Sequence, residues 1–221
     1  MAYQFQFGSV FAGFDQLLWG AWLTVLLSAA GIVLGLAIGV AGGWGRANGP
    51  RWMRWAIAGY VEAIRNTPFL VQLFLIFFGL PSLGIRMSAG TAALLTLTIN
   101  TGAYCTEIVR AGIEAVPRGQ IEAGRALGLS RFLVFRFLIL FPALKTVYPA
   151  LASQFTLMML ATSVVSQISA EELTFAANFM QSRTFRSFEI YGVVTLMYLA
   201  LALLFRGFFR GVHWALFERG R

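Results

Sequence analysis

Apolar residues run almost unbroken from about Gln16 to Gly43, and comparable runs recur down the chain. A helix from Trp22 to Trp44 rises roughly 33 Å, about a bilayer core plus its aromatic belts. A second span is expected from Trp55 to Pro81, a third from Met87 to Gly112, and a fifth from Tyr191 to Phe205. The apolar stretch from Phe132 to Ile168 would rise roughly 55 Å as one helix, too long for a single crossing. Pro142 is therefore expected to divide it into a short interfacial helix, Arg131 to Phe141, and a fourth span. The pattern predicts an all-α, polytopic membrane protein of about five transmembrane helices.

Composition agrees with that pattern. The chain has 221 residues, 58% apolar and only 12% charged, where soluble domains carry about a quarter. That leaves room for one transmembrane domain, residues 1–221, and for no sizeable soluble one. No cleavable leader is expected, because the N-terminus lacks a positive region and the first apolar run is long enough to span.

A net charge of +8 could suggest nucleic acid, but position argues for topology. Arg46, Arg51 and Arg54 follow the first span. Arg118, Arg125, Arg131, Arg136 and Lys145 follow the third, and Arg206, Arg210, Arg219 and Arg221 follow the fifth. The other side has only Arg86, Arg183 and Arg186. Basic loops stay in the cytoplasm, so the N-terminus is expected outside and the C-terminus inside a bacterial cytoplasmic (inner) membrane. No nucleic-acid partner is expected.

Other chemistries find little footing. Cys105 and His213 are the only residues of their types, so no intrachain disulfide and no His/Cys metal cluster is expected. The nine carboxylates are scattered, which disfavours a membrane enzyme. There is no GxxxxGK[ST] phosphate loop, so any ATP and Mg²⁺ must sit on another chain. No inverted repeat is visible, which weighs against a secondary transporter.

One polar stretch interrupts the pattern: "QIEAGRALGLS", Gln120 to Ser130. Pro117 can open a helix there, and residues 118–127 give about three turns. Arg118 and Glu122, four apart, can pair. Ile121 and Leu127 offer apolar contacts. Gly128 can end the helix in a left-handed conformation, and Ser130 can cap the next one. A solvated loop and a docking element for a soluble partner both fit.

This stretch carries a resemblance. "EAGRALGLSRFLVFRFLILFPAL" resembles the EAA motif of type I ABC importer permeases, with Glu122, Ala123 and Gly128 matching, Gly124 in place of a third-position Ala, and Phe141 in place of Leu before Pro142. "EAIRNTPFLVQLFLIFFGLP" and "AYCTEIVRAGIEAVPRGQ" resemble the branch that imports polar amino acids and opines. The resemblance implies the type I permease fold. It implies that the loop at about 113–131, with Glu122, Ala123, Gly124, Arg125 and Gly128, couples to two ATP-binding subunits. It also implies a second permease chain, identical or paralogous, and an extracytoplasmic solute-binding protein. The chain itself would bind no cofactor and catalyse no reaction.

Polar residues inside the spans are costly there and mark cavities or helix contacts. Pro68 is expected to break the second span at Asn66–Thr67, leaving the helix after Pro68 with free N–H groups that suit an amino acid carboxylate. Gln72 lies one turn further on. Asn100, Tyr104 and Glu107 share one face of the third span and could edge a pathway or bond to neighbouring helices, with Arg110 neutralising Glu107. Thr162, Ser163 and Gln167 keep a polar character in the fourth. Glu62 and Arg65 are expected to pair. Ser169 and Glu172 have capping-box spacing for an external helix reaching Met180, which with Arg183, Arg186 and Glu189 could meet the binding protein. A partner subunit without its own pocket, and an ion-coupled transporter using Glu62 or Glu107, remain alternatives.

Overall fold

The structure is a computed structural model that describes residues 3–219, the side chains of Arg118 and Arg131 excepted. Its elements are helices. A short α1, Gly8–Ala12, precedes α2, Phe14–Asn48. Then come α3, Arg51–Arg65, and α4, Phe69–Ser82, meeting at 106°. α5, Ala89–Glu114, leads to α6, Arg118–Ala126. A single α-helical turn, Arg131–Leu133, leads into α7, which runs over Val134–Ile168. α8, Leu173–Thr184, and α9, Ser187–Phe217, complete the chain.

Three helices, α2, α7 and α9, are long and apolar enough to cross a membrane, and the bent α3–α4 pair would make a fourth. α5, 26 residues long, rises about 39 Å, but its threonines, Asn100, Glu107 and Arg110 keep it outside that apolar class.

α5 stays in place through close packing on α2. Gly35 and Gly39 face it, and a Cβ on Gly35 would stand 2.7 Å from Thr101 Cβ. One on Gly39 would run into Cys105. Small residues let two backbones approach this closely, gaining dispersion contacts where apolar burial drives little in lipid. Cys105 continues the seam into a core cluster with Val147, Leu151 and Phe155 of α7. A second core cluster, with Leu73, Leu97, Met158 and Val165, ties α4, α5 and α7 together.

The expected division at Pro142 does not occur. Val134–Leu140 winds as a π-helix and runs straight into the α-helix Phe141–Ala161. Pro142 lacks the N–H that an α-helix would direct at the carbonyl of Leu138. Wider π turns, which recur where a helix is locally disrupted, absorb the proline without ending the helix. The last turns, Thr162–Ile168, tighten to a 3₁₀-helix.

The capping box also forms differently. Ser169 has a φ of 60° and closes the 3₁₀ turns. Glu172 caps α8 alone, its carboxylate accepting the N–H of Phe175 at 2.8 Å. It also accepts the Tyr198 hydroxyl at 2.6 Å, while Thr24 of α2 accepts the N–H of Leu173 at 3.1 Å. This buried knot joins α2, α8 and α9. Desolvation raises the Glu172 carboxyl above its ordinary value, against the pull of its hydrogen bonds.

Glu189 is not a surface group. It is buried, accepting the Tyr3 hydroxyl at 2.6 Å and the Gln6 N–H at 2.9 Å. Arg183 lies over the Phe179 ring at 4.4 Å, and Arg186 donates to the Gln6 side chain at 2.7 Å.

Candidate functional site

Two polar regions stand out: the α6 loop, and the break between α3 and α4 with the facing side of α5.

In the loop, Pro117 sits in an extended conformation before α6. Gly128 has a φ of 75°. It donates to Arg125 O at 3.0 Å, and Leu129 donates to Gly124 O at 3.1 Å. These two bonds form a Schellman ending, which satisfies carbonyls the helix would leave bare. The Ser130 hydroxyl then accepts the Leu133 N–H at 3.3 Å. α6 is thus capped at its C-terminus, and Ser130 caps the helical turn that leads into α7.

The two faces of α6 differ. Gly124 is buried, and a Cβ there would meet Leu138, so glycine lets α6 lie on the π-wound start of α7. Ile121 lies in a groove with Trp44, Ile113, Phe135 and Ile139. Glu122, Ala123, Arg125 and Ala126 are exposed. Leu127 is 80% exposed and makes no inward contact of the kind its sequence position suggested. The Arg118–Glu122 pairing lies outside the described residues.

At the break, the chain repairs what Pro68 removes. Pro68 has no N–H for the carbonyl of Ile64, four residues earlier. The Gln72 amide takes its place, Nε2 donating to Ile64 O at 2.7 Å and to Thr67 O at 3.1 Å. The Thr67 hydroxyl donates to Ala63 O at 2.7 Å and accepts from Gln72 at 2.9 Å. Asn66 donates to the Glu62 carboxylate at 2.7 Å. The N–H groups of Phe69 and Leu70 find no partner among the described residues.

α5 meets this break with the expected face. Asn100 Nδ2 donates to Gln72 Oε1 at 3.0 Å. The Arg65 guanidinium lies 5.2 Å from the Tyr104 ring centroid, so Arg65 stacks on an aromatic and does not pair with Glu62. Glu107 receives Arg110 at 2.8 Å, with Arg46 at 3.7 Å. Asn100, Tyr104 and Glu107 therefore tie α5 to α4, α3 and α2 respectively.

Of the fourth-span group, Thr162 is fully buried and donates to Met159 O at 2.6 Å. Ser163 donates to Leu160 O at 2.8 Å. Gln167 is exposed. Among the described residues, no three His, Cys, Asp or Glu side chains gather as a metal site. The His213 ring lies tilted against Phe217, with centroids 5.2 Å apart, and sits 3.5 Å from Glu218.

Comparison with known proteins decides what this arrangement is. The family model for the binding-protein-dependent transport system inner membrane component matches residues 31–213. The chain belongs to this family. It is a permease subunit of an ABC importer, a transport subunit whose ATPase is a separate chain.

The permease is 35% identical over 203 residues to the glutamine transport system permease protein GlnP of Escherichia coli (strain K12), covering 91% of this chain and 93% of that one. It is 33% identical over 217 residues to the octopine transport system permease protein OccM of Rhizobium meliloti, covering 94% and 89%. Among solved structures it superposes on an amino acid ABC transporter crystallised with histidines, with a TM-score of 0.89, 33% identity and coverage of 97% and 100%. The MetNI methionine transporter in an inward-facing state, at 19% identity and a TM-score of 0.77 over 92% and 97%, shares the fold.

Sequence reasoning found the Pro68 break, the Gly128 turn and the Ser130 cap of this permease. It missed Gln72 as the repair of the break. The signal was available: a proline at i leaves the carbonyl at i−4 bare, and an amide at i+4 lies one turn beyond.

Proposed function

We propose that this chain is a five-span permease of a bacterial inner membrane importer for a polar amino acid or opine, with its N-terminus outside and C-terminus in the cytoplasm. It works beside a second permease chain, identical or paralogous. A solute-binding protein delivers cargo outside, and two ATP-binding subunits carrying ATP and Mg²⁺ act inside. α6 carries the reading. It is a short helix whose inner face rests on α7 through Gly124 and Ile121, and whose outer face, Glu122, Ala123 and Arg125, is free to dock. With the Gly128 turn behind it, a push on α6 moves α7 instead of dissipating in a loop.

The pathway runs past the α3–α4 break. The free N–H groups of Phe69 and Leu70 supply the positive end of a half-helix for an α-carboxylate, and Asn66, Thr67 and Pro68 shape the opening. Gln72, Asn100, Tyr104 and Glu107 hold that opening in shape, and Ser163 and Gln167 continue the polar line. Thr162, buried with its hydroxyl engaged, supports the wall from behind. The relatives that import glutamine, octopine and nopaline support an amide- or guanidinium-bearing amino acid as cargo.

Native mass spectrometry of the complex drawn from its own membrane in mild detergent tests the assembly. Two permease chains with two ATPase subunits are expected. This chain alone or dimeric with no ATPase, where a known importer stays intact, would contradict it. One structural observation favours a second reading, in which a paralogous partner holds the pocket: the polar side chains at the break are largely occupied with each other. Under that reading Thr67→Val would leave transport affinity unchanged.

A further inference from the structure

Where α2 ends and α3 begins, Arg46, Arg51, Arg54 and Arg110 line one pocket with Trp55 and Glu114. Its volume is about 460 Å³. The charges do not cancel. Arg110 is bound by Glu107 and Glu114, and Arg46 reaches Glu107 only at 3.7 Å. Arg51 and Arg54, one turn apart, form no ion pair with any described residue. Four guanidinium groups thus face two carboxylates.

Aromatic side chains mark the depth of this pocket. Trp55 of α3 lines it and is 78% exposed; Trp52, on the same helix, and Trp44, near the end of α2, are 72% and 53% exposed. Exposed tryptophans gather at the membrane–water boundary, where the indole ring meets acyl chains and its N–H meets headgroups. Phosphates of the bilayer lie at that same level. A pocket between helices that combines surplus arginines with a lining tryptophan at headgroup depth matches an anionic phospholipid in charge, position and amphipathic character.

We infer that this pocket is a binding site for an anionic phospholipid headgroup, with Arg51 and Arg54 holding the phosphate and Trp52 and Trp55 lying against the glycerol and upper acyl chains. Arg46 and Arg110 set the positive floor. The lipid would brace the α2–α3 corner against α5, the helix that also faces the α3–α4 break. The inference rests on the permease being embedded with this end in the cytoplasmic interface, and not on the cargo or the coupling role of α6.

Tryptophan quenching tests it. The full permease complex is reconstituted in phosphatidylcholine vesicles containing brominated phosphatidylglycerol or, separately, brominated phosphatidylcholine. The difference between the protein and its Trp55→Phe variant isolates the pocket signal. Brominated phosphatidylglycerol should quench that signal at a mole fraction roughly an order of magnitude lower than brominated phosphatidylcholine, and the preference should fall with salt. Arg51→Gln/Arg54→Gln should remove the preference, while Arg206→Gln/Arg210→Gln, a basic pair on α9, should leave it. Equal quenching by both lipids, or a preference that survives Arg51→Gln/Arg54→Gln, would overturn the site. So would a preference abolished by inorganic phosphate but retained in sodium chloride of the same ionic strength, which would mark a site for free phosphate. Loss of uptake with the lipid preference intact would count against the transport reading alone.

Discussion

Gln72 donates its amide N–H to the carbonyl of Ile64 at 2.7 Å, the very carbonyl that Pro68 deprives of a partner. A side chain thereby replaces a backbone donor, and the second span can bend by 106° without leaving that carbonyl bare.

Gln72→Leu should therefore destabilise the permease by about 1 kcal/mol, the cost of a half-buried carbonyl losing its donor. Pro68→Ala restores a backbone N–H, so in that background the same change should cost much less. A double-mutant cycle on thermal unfolding of the purified complex measures the coupling. Additive costs would show that Gln72 does not act on the proline's orphan.

Glycine spacing on α2 gives a prediction with opposite signs at two sites. A methyl on Gly39 would meet the Cys105 side chain and backbone of α5, whereas one on Gly59 of α3 meets nothing within 4 Å. Gly39→Ala should destabilise by about 1–3 kcal/mol. Gly59→Ala should stabilise by about 0.5–1 kcal/mol through the helix it stiffens. Thermal midpoints of the two variants, measured in one detergent, check both signs.

Glu172 supplies a pH dependence. Burial raises its carboxyl above the ordinary carboxylate value, so folding favours the protonated form. Its contribution to stability is present below the ordinary carboxylate range and is lost as pH rises through the raised folded-state value. Glu172→Gln keeps an acceptor for the Phe175 N–H but cannot ionise. The variant should lose less stability than the native chain as pH rises from acid towards neutral. Parallel curves of midpoint against pH would rule out Glu172 as the titrating group.

The Gly128 turn should matter to coupling more than to folding. No atom lies within 4 Å of a Cβ built there, but the φ of 75° costs an ordinary residue about 1–2 kcal/mol. Gly128→Glu adds bulk and charge beside the proposed docking face. Uptake in proteoliposomes should fall at least tenfold while membrane levels stay near normal. Normal uptake would argue against docking at this turn.

Much of this architecture was legible because its signals are local. Proline at 68 announces a break, glycine at 128 a left-handed turn, and serine at 130 a cap; each acts within one turn of chain. What escaped depends on distance or on competing local solutions. Glu189 reads as a surface charge until Tyr3 and Gln6, more than 180 residues away, close over it. Ser169 and Glu172 fit a capping box, but Ser169 is needed to end the preceding 3₁₀ turns. Pro142 reads as a breaker, and π winding over Val134–Leu140 absorbs it. On α5, the spacing of Asn100, Tyr104 and Glu107 announces a shared face, but which helix each of them grips depends on contacts distant in sequence.

The central claim is that α6 is where the ATPase grips this chain. Ala123→Cys in a Cys105→Ser background leaves one thiol, on the exposed face of α6. In the intact complex, a short thiol-to-amine cross-linker should join it to the ATP-binding subunit, and a thiol at Thr91, on the first turn of α5, should not react this way. No cross-link from Ala123→Cys, nor from Glu122→Cys or Arg125→Cys, in a complex that retains its ATPase subunits would contradict the account.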